Sequence, residues 1–145
     1  MPVGKICTRI THTVEPNESV RAAAERMTER DVGTLVAVDE EGRPLGIVTD
    51  RDLVTRVLGE NLDPATLTIG TVMSSPPVSV EEETPIESAL SLMAERGVRR
   101  LVVVDGDGRL IGILSLDDAV ELLVEEVAAV GRVLTFQTRA TSPLR

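Results

Sequence analysis

The chain contains two copies of one sequence unit. Residues 4–60 align with residues 70–126 at a constant offset of 66 positions, and the alignment needs no gap. Between positions 14 and 52, sixteen of the thirty-nine residues are identical to their partners in the second copy. This period is longer than the roughly 20 to 50 residues of solenoid repeats, so we predict two similar subdomains packed on each other. Subdomains related by a pseudo-twofold axis form a pair of equivalent clefts at their junction, where we expect the functional site.

The composition restricts the size of the core and the choice of partners. The 145 residues fit one compact domain, and half of such a chain buries too little surface to be comfortably stable alone. The net charge is −9, and Phe136 is the only aromatic residue. The chain therefore lacks the dense positive field and the aromatic stacking surface that general nucleic-acid binding requires. We expect no nucleic-acid partner, and a bound phosphate would need a local cluster of donors.

The single cysteine and the single histidine offer little chemistry. Because Cys7 and His12 have no second copy, one subunit can form neither an internal disulfide nor a Cys/His zinc site. The repeat aligns them with Met73 and Val78, which are apolar packing positions, so we do not expect them to form a nucleophile and base. Residues 1–5 lack an apolar signal region, and no apolar run approaches the roughly 18 residues of a membrane span. We expect a soluble, cytoplasmic protein.

The order of apolar and turn-forming stretches predicts the same elements in both units: strand, helix, strand, turn, strand and helix. In the second unit a short strand at 78–80 precedes a helix that ends at Gly97. We predict that Thr84 caps this helix and that Pro85 is its first residue. Turn residues between each pair of apolar runs favour a hairpin. The remaining predicted elements are at 101–104, 110–114 and 116 to about 130, with first-unit equivalents at 35–38, 45–48 and 50–58.

These elements divide the chain into four parts. We place the first repeat at 3–60, a turn-rich linker at 61–68 and the second repeat at 69–126. A helix extension and tail follow at 127–145. The tail after Gly131 has no partner in the repeat, and the sequence leaves open whether it swaps, caps or hangs free.

Each unit has a strand-to-helix junction in which a hydroxyl residue is followed by aspartate three positions later. The pairs are Thr49 with Asp52 and Ser115 with Asp118. One interpretation is a capping box, in which the hydroxyl caps the helix and the carboxylate reaches back to the backbone. The other is a ligand site, because a helix N-terminus with a hydroxyl can hold a phosphate and a carboxylate can accept from the two hydroxyls of a ribose. The sequence leaves both open.

A glycine lies three residues before the hydroxyl of each junction, within an otherwise apolar strand. These residues are Gly46 and Gly112. Such a glycine marks a bulge, tight packing against a neighbouring segment, or the approach of a flat ligand base to the backbone. All three interpretations fit the pattern.

The two units differ at a pair of positions that bears on phosphate binding. The second unit has Arg99-Arg100 before its central strand, where the first unit has Gly33-Thr34. An arginine pair can be a solvated strand edge or a partner for nearby acids. It can also bind phosphate through forked, permanently charged donors. In that second case we expect the cleft reached by Arg99 and Arg100 to take the more highly phosphorylated ligand.

Together these motifs resemble the cystathionine-β-synthase (CBS) domain, and the duplication resembles a tandem CBS pair, or Bateman module. The resemblance covers about residues 3–126 and occurs twice in register. It depends on the Val-Glu openings, the Met-x-x-Arg helix ends, the apolar strands before a glycine turn, and the Gly-Ile-Val-Thr-x-x-Asp and Gly-Ile-Leu-Ser-x-x-Asp junctions. The resemblance implies a mixed α+β fold of two β-α-β-β-α units packed with pseudo-twofold symmetry.

The resemblance also implies a role for each matching residue. Asp52 and Asp118 would bind ribose hydroxyls, while Thr49 and Ser115 would contact phosphate. Backbone or side-chain contacts with the adenine would come from a further set, Thr11, His12, Pro77, Val78, Ile47 and Ile113. Arg100, with Arg99 beside it, aligns with a family position that touches phosphate.

Members of this family are sensors of adenosine-containing ligands and commonly form homodimers. We therefore expect a regulatory module, not an enzyme, that binds AMP, ADP or ATP with or without Mg²⁺, requires no cofactor and acts on an unidentified regulated protein. One alternative is a ligand-free interaction scaffold, in which both junctions are capping boxes and the acidic faces recognise a protein. The other is an enzyme whose turnover depends on Cys7 or His12.

Overall fold

The computed structural model of the protein describes residues 1–9 and 11–140. A 3₁₀ turn at Val3–Lys5 precedes the regular elements. The strands and α-helices are β1 (Thr13–Val14), α1 (Val20–Arg30), β2 (Thr34–Val38), β3 (Pro44–Thr49), α2 (Asp50–Asp52), α3 (Ile69–Val72), β4 (Ser79–Glu81), α4 (Ile86–Arg96), β5 (Arg100–Val104), β6 (Leu110–Ser115) and α5 (Leu116–Ala140). The helix predicted at 50–58 is one α-turn, α2, followed by a π-helical segment at Leu53–Leu58.

Each repeat forms a mixed three-stranded sheet. The strand orders are β1-β2-β3 and β4-β5-β6. In both sheets the first strand runs parallel to the central strand, and the hairpin strand runs antiparallel to it. The registers agree at the 66-residue offset, because Val36 pairs with Ile47 as Val102 pairs with Ile113. The predicted fold of two β-α-β-β-α units related by a pseudo-twofold axis is confirmed.

The two long helices of the repeats begin differently. The Ser19 hydroxyl caps α1 by accepting a first-turn backbone N–H at 3.1 Å. The prediction that Thr84 caps α4 and that Pro85 is its first residue is wrong, since α4 begins at Ile86. Pro85 is extended, with φ −63° and ψ 145°, and provides no side-chain cap. The N-terminal segment holds it there, because the Ile86 N–H donates to the Met1 carbonyl at 3.0 Å.

Residues 2–8 and 68–74, called the exchanged segments below, each pack into the other repeat. Val3, which precedes the first repeat's strands, is fully buried in the core around β4, β5 and β6. Ile69, which precedes the second repeat's strands, is fully buried in the core around β1, β2 and β3. Each core is therefore completed by a segment of the other sequence repeat, so neither repeat can bury its apolar surface without the other.

α5 is longer than the sequence predicted. It continues to Ala140 instead of ending near Val130, so the expected tail from Gly131 onward is helical as far as Ala140. The part of the tail at 141–145 lies outside the described residues. From Gly131 to Arg139 every side chain is exposed, so this end of α5 extends beyond the body of the protein. None of the helices in the described part of the chain is long and apolar enough to cross a lipid bilayer.

Candidate functional site

Two clefts lie between the repeats, and each is built crosswise. Thr8 of one exchanged segment forms two backbone hydrogen bonds with Ile113 of β6, at 2.9 and 3.0 Å. Ser74 of the other forms the equivalent pair with Ile47 of β3, also at 2.9 and 3.0 Å. The chain that follows each exchanged segment is thereby placed beside the strand-to-helix junction of the other repeat.

The first cleft, called the Asp52 cleft below, has a volume of about 330 Å³. It joins the junction between β3 and α2 to the segment before β4 and the loop before β5. Of the residues predicted to bind ligand it contains Ile47, Thr49, Asp52, Pro77, Val78, Arg99 and Arg100.

The second cleft, called the Asp118 cleft below, has a volume of about 230 Å³. It joins the junction between β6 and α5 to the segment before β1 and the loop before β2. Of the predicted residues it contains Thr11, His12, Ile113, Ser115 and Asp118, and Arg100 lines it as well. The two clefts together hold all of the predicted residues, whose contacts with a ligand remain predictions.

Thr8 and Ser74 also line the clefts, one in each, although neither was among the predicted residues. A signal for them was present, because the two positions are 66 residues apart and both carry a hydroxyl. Their position depends on backbone pairing between the repeats, which no local sequence pattern specifies.

Both junctions form capping boxes. The Thr49 N–H donates to Asp52 Oδ2 at 2.9 Å, and the Asp52 N–H donates to Thr49 Oγ1 at 3.2 Å. The Ser115 N–H donates to Asp118 Oδ2 at 2.8 Å, and the Asp118 N–H donates to Ser115 Oγ at 3.1 Å. The cap uses one oxygen of each carboxylate. The second oxygen of Asp118 stays available as a hydrogen-bond acceptor, and that of Asp52 lies 3.7 Å from Arg56 Nε and keeps acceptor capacity beside this ion pair. The cap therefore fixes the carboxylate beside the cleft and does not exclude a ligand.

Of the three interpretations of Gly46 and Gly112, the structure supports two. The register of each hairpin shifts beside the glycine, as at a β-bulge, and a neighbouring segment packs tightly against it. A Cβ atom on Gly112 would lie 2.3 Å from the Thr8 carbonyl oxygen. A Cβ atom on Gly46 would lie 2.6 Å from the Met73 sulfur and 2.9 Å from the Ser74 carbonyl oxygen. Both glycines are therefore required by the close approach of the exchanged segments.

Arg99 and Arg100 are exposed, and within residues 1–9 and 11–140 neither forms an ion pair. The Arg99 carbonyl accepts from the Leu116 N–H at 2.8 Å, which joins the loop before β5 to the start of α5. Arg100 lies opposite Ser115 in the β5–β6 pairing. Both guanidinium groups are free to bind an anion, because no carboxylate of the described chain neutralises them.

A third cavity, of about 600 Å³, lies beside β1 and α1. Arg26 and Glu18 meet there, with Arg26 Nη1 donating to Glu18 Oε2 at 3.0 Å. The hydrogen bond from Arg26 lowers the pKa of Glu18 below its usual value, and the same bond raises the pKa of Arg26. The equivalent residues in the second repeat are Leu92 and Thr84, so duplication gave no signal for this pair.

Cys7 and His12 have different surroundings, since His12 lines the Asp118 cleft. Cys7 is half-buried and packs against the core around β4, β5 and β6. Burial raises the pKa of its thiol, which disfavours the reactive thiolate at neutral pH. Among the described residues, no group of three or more histidine, cysteine, aspartate or glutamate side chains is placed to hold a metal ion.

Comparison with known families gives a match over most of the chain. The family model described as "CBS domain" matches twice, at residues 3–59 and 69–125. An uncharacterized protein of Methanopyrus kandleri is 37% identical over 120 residues, which are 83% of this chain and 61% of that protein. The match thus spans about three-fifths of the length of that relative.

Two solved structures resemble the chain and contain adenosyl ligands. A CBS domain pair solved in complex with 5′-methylthioadenosine and S-adenosyl-L-methionine has a TM-score of 0.76 and 25% identity, covering 87% of this chain and 98% of that one. A CBS domain protein from Pyrobaculum aerophilum solved in complex with AMP has a TM-score of 0.73 and 25% identity, covering 81% of this chain and 89% of that one.

Proposed function

The chain belongs to the CBS domain family, and on that premise we propose that it is a regulatory module that binds an adenine nucleotide, AMP, ADP or ATP, in the clefts between its repeats. The observation that carries the proposal is the crosswise construction of the clefts. Each cleft joins a hydroxyl–aspartate junction of one repeat to the chain before the first strand of the other. Adenosine-containing ligands of two similar structures support this ligand class.

The chemistry of each cleft suits a nucleotide. The caps hold Asp52 and Asp118 through one carboxylate oxygen each. The other oxygen, which in Asp52 also faces Arg56, can accept from the paired O–H donors of a ribose. Thr49 and Ser115 lie at helix N-termini, where backbone N–H groups and the helix dipole favour a phosphate. Arg99 and Arg100 add the local positive charge that an acidic protein needs in order to hold a phosphate. Mg²⁺ would bind only together with the nucleotide.

A nucleotide sensor does not require catalysis, and we propose a non-enzymatic role. Turnover would need an activated nucleophile or a tuned base. Cys7 is the only thiol of the chain, and burial raises its pKa. The output of the module would be a change in its affinity for a regulated protein.

The proposal includes self-association of two copies through α5. Apolar side chains recur on α5 at spacings of three and four and are at least 49% exposed: Val120, Leu123, Val124, Val127, Val130 and Leu134. Such a stripe is typical of a helix that pairs with another helix. The charges are divided along α5, with acids from Asp117 to Glu126 and basic residues at Arg132 and Arg139. An antiparallel second copy places the acidic half of each helix beside the basic half of the other.

Thermal unfolding in the presence of nucleotides tests the proposed ligand class. A ligand at about 100 times its dissociation constant adds about 2.7 kcal/mol to the free energy of unfolding, which raises the melting temperature of a domain of this size by several degrees. We expect such a shift with at least one of AMP, ADP, ATP and S-adenosylmethionine. The double variant Asp52→Ala/Asp118→Ala is expected to lose it.

The control is Asp107→Ala, which removes an exposed hairpin carboxylate outside both clefts. It is expected to keep the full nucleotide-induced shift. If no nucleotide shifts the melting temperature of the wild-type protein, the scaffold interpretation replaces the sensor. If the double aspartate variant keeps every shift, the assignment of the binding clefts is wrong.

A further inference from the structure

The first residues of the two central strands occupy equivalent places between the clefts. Thr34 begins β2 and lies opposite Thr49, and Arg100 begins β5 and lies opposite Ser115. Each therefore starts beside the junction of its own repeat. Thr34 nevertheless lines the cleft of the other repeat, the Asp118 cleft. The pseudo-twofold axis places Arg100 in the same way toward the Asp52 cleft.

Side-chain length makes the two positions unequal. Thr34 is short and lines only one of the two clefts, the Asp118 cleft, whereas Arg100 lines both. A guanidinium on a flexible three-carbon stem can turn toward either cleft. Arg100 forms no ion pair within the described chain that would hold it on one side.

The supply of positive charge differs between the clefts. The Asp52 cleft is lined by Arg99 as well as Arg100. Among the described residues that line the Asp118 cleft, Arg100 is the only arginine or lysine. When Arg100 binds a phosphate in the Asp52 cleft, the Asp118 cleft loses its guanidinium donor. The reverse movement leaves the Asp52 cleft with Arg99.

On the basis of the proposed function, we infer that Arg100 is shared by the two clefts and couples them, so that a phosphate-bearing ligand in one cleft weakens binding of such a ligand in the other. Two phosphates compete for one set of forked, charge-assisted hydrogen bonds. Because coupling between binding sites is reciprocal, the loss is the same whichever cleft fills first.

The coupling depends on the phosphate and not on the nucleoside. Adenosine carries the same base and ribose as AMP but offers Arg100 no anion. Two adenosine molecules are therefore expected to bind independently, while two AMP molecules are not. The protein would respond most steeply to phosphorylated ligand at low concentration, when one cleft is filled, and more gradually thereafter.

Calorimetric titration with AMP tests the inference on the 145-residue chain. The variants Asp52→Ala and Asp118→Ala each leave one functional cleft and give the two single-cleft association constants. The product of the two stepwise constants of the wild-type protein is expected to lie at least about fivefold below the product of the single-cleft constants, the lower end of typical coupling between sites. With adenosine the two products are expected to agree within about twofold.

Three substitutions test whether the coupling depends on Arg100. Arg100→Ala is expected to abolish the coupling while Arg99→Ala, which removes the guanidinium outside the Asp118 cleft, leaves it in place. Thr34→Arg supplies the Asp118 cleft with an arginine of its own and is expected to restore independent binding of two AMP molecules. This variant keeps Arg100, so it remains informative if Arg100→Ala binds too weakly to measure.

The outcomes separate this inference from the proposed function. If the wild-type protein binds two AMP molecules whose product of constants equals that of the single clefts, Arg100 does not couple the clefts and only the inference is overturned. The same holds if the coupling persists in Thr34→Arg. If none of AMP, ADP and ATP binds to the wild-type protein, the proposed nucleotide site itself is wrong.

Discussion

The carbonyl oxygen of Thr8 lies 2.3 Å from the position that a Cβ atom would take on Gly112. A backbone oxygen cannot rotate aside as a flexible side chain can, so a larger residue at position 112 must push the exchanged segment away from β6. We expect Gly112→Ala to lower the free energy of unfolding by about 1 to 3 kcal/mol, the usual cost of overpacking. Urea denaturation measures the change.

Gly106→Ala is the matched control for this substitution. A Cβ atom on Gly106 would contact nothing within 4 Å. Its free energy of unfolding is expected to stay within about 0.5 kcal/mol of the wild type, as for most surface substitutions. Equal stability of the two variants would show that the exchanged segment yields without cost and does not fix β6.

The hydroxyl of Ser115 has a structural role that does not depend on a ligand. It accepts the Asp118 N–H at 3.1 Å and so caps α5. We expect Ser115→Ala to lower the free energy of unfolding by about 1 kcal/mol in the absence of nucleotide, the typical cost of losing an N-cap. The control is Ser91→Ala, since the Ser91 hydroxyl donates to Glu87 O within α4 and caps no helix. If Ser91→Ala lowers the free energy of unfolding as much as Ser115→Ala does, the Ser115 cap has no special role in stability.

The ion pair between Arg26 and Glu18 predicts a dependence of stability on pH. The hydrogen bond from Arg26 lowers the pKa of Glu18 in the folded state. The contribution of this carboxylate is therefore fully present above its unfolded pKa, about 4.3, and is lost as the pH falls through the lower folded value. Arg26→Leu, which installs the residue found at the equivalent position 92, is expected to remove this part of the acid sensitivity.

Thermal melts between pH 7 and pH 3 measure the effect. The control is Arg21→Leu, because Arg21 and Glu25 form an exposed pair whose side chains are 69% and 66% accessible. An exposed pair of this kind contributes little, so the control is expected to keep the wild-type profile. Identical profiles for the wild type and Arg26→Leu would show that the Arg26 pair does not contribute to the pH dependence.

Self-association through α5 is tested by placing a charge on its apolar stripe. Val127 is 71% exposed at the middle of that stripe. We expect Val127→Glu to convert a dimer to a monomer in sedimentation-velocity measurements, because the carboxylate would be buried between two helices. Phe136→Glu makes a similar change nine residues away, which is the opposite side of an α-helix at 3.6 residues per turn. The control is expected to remain a dimer, and a wild-type monomer would overturn the proposed assembly.

The parts of the fold that follow from local pattern could be predicted from the sequence. The apolar runs of β5 and β6, the glycine turn between them and the hydroxyl–aspartate junctions are all encoded by neighbouring residues. The extension of α5 was missed, because Gly131 is a poor helix former and the apolar periodicity beyond it is weak. The start of α4 was missed because a contact with Met1, far away in the chain, holds Pro85 extended.

The clefts likewise have some features that local sequence predicts and others that depend on contacts between distant segments. The repeat placed Asp52 and Asp118 in equivalent sites, and the difference between Thr34 and Arg100 indicated that the clefts are unequal. The sharing of Arg100 could not be predicted, since it depends on the distance between two clefts built from both repeats. The tight packing at Gly46 and Gly112 could not be predicted either, because the segment that packs against each glycine is distant in the sequence.

The exchanged segments also separate the unit that is repeated in the sequence from the unit that folds. The unit that is duplicated in the sequence is not the unit that folds, because each copy begins with the segment that completes its neighbour. A single copy translated alone would carry an apolar segment with no place in its own sheet, and would leave its own core open. It could close that core by exchanging segments with a second molecule, as in a domain-swapped dimer. In the tandem chain both segments belong to one molecule, so this exchange is internal and independent of protein concentration.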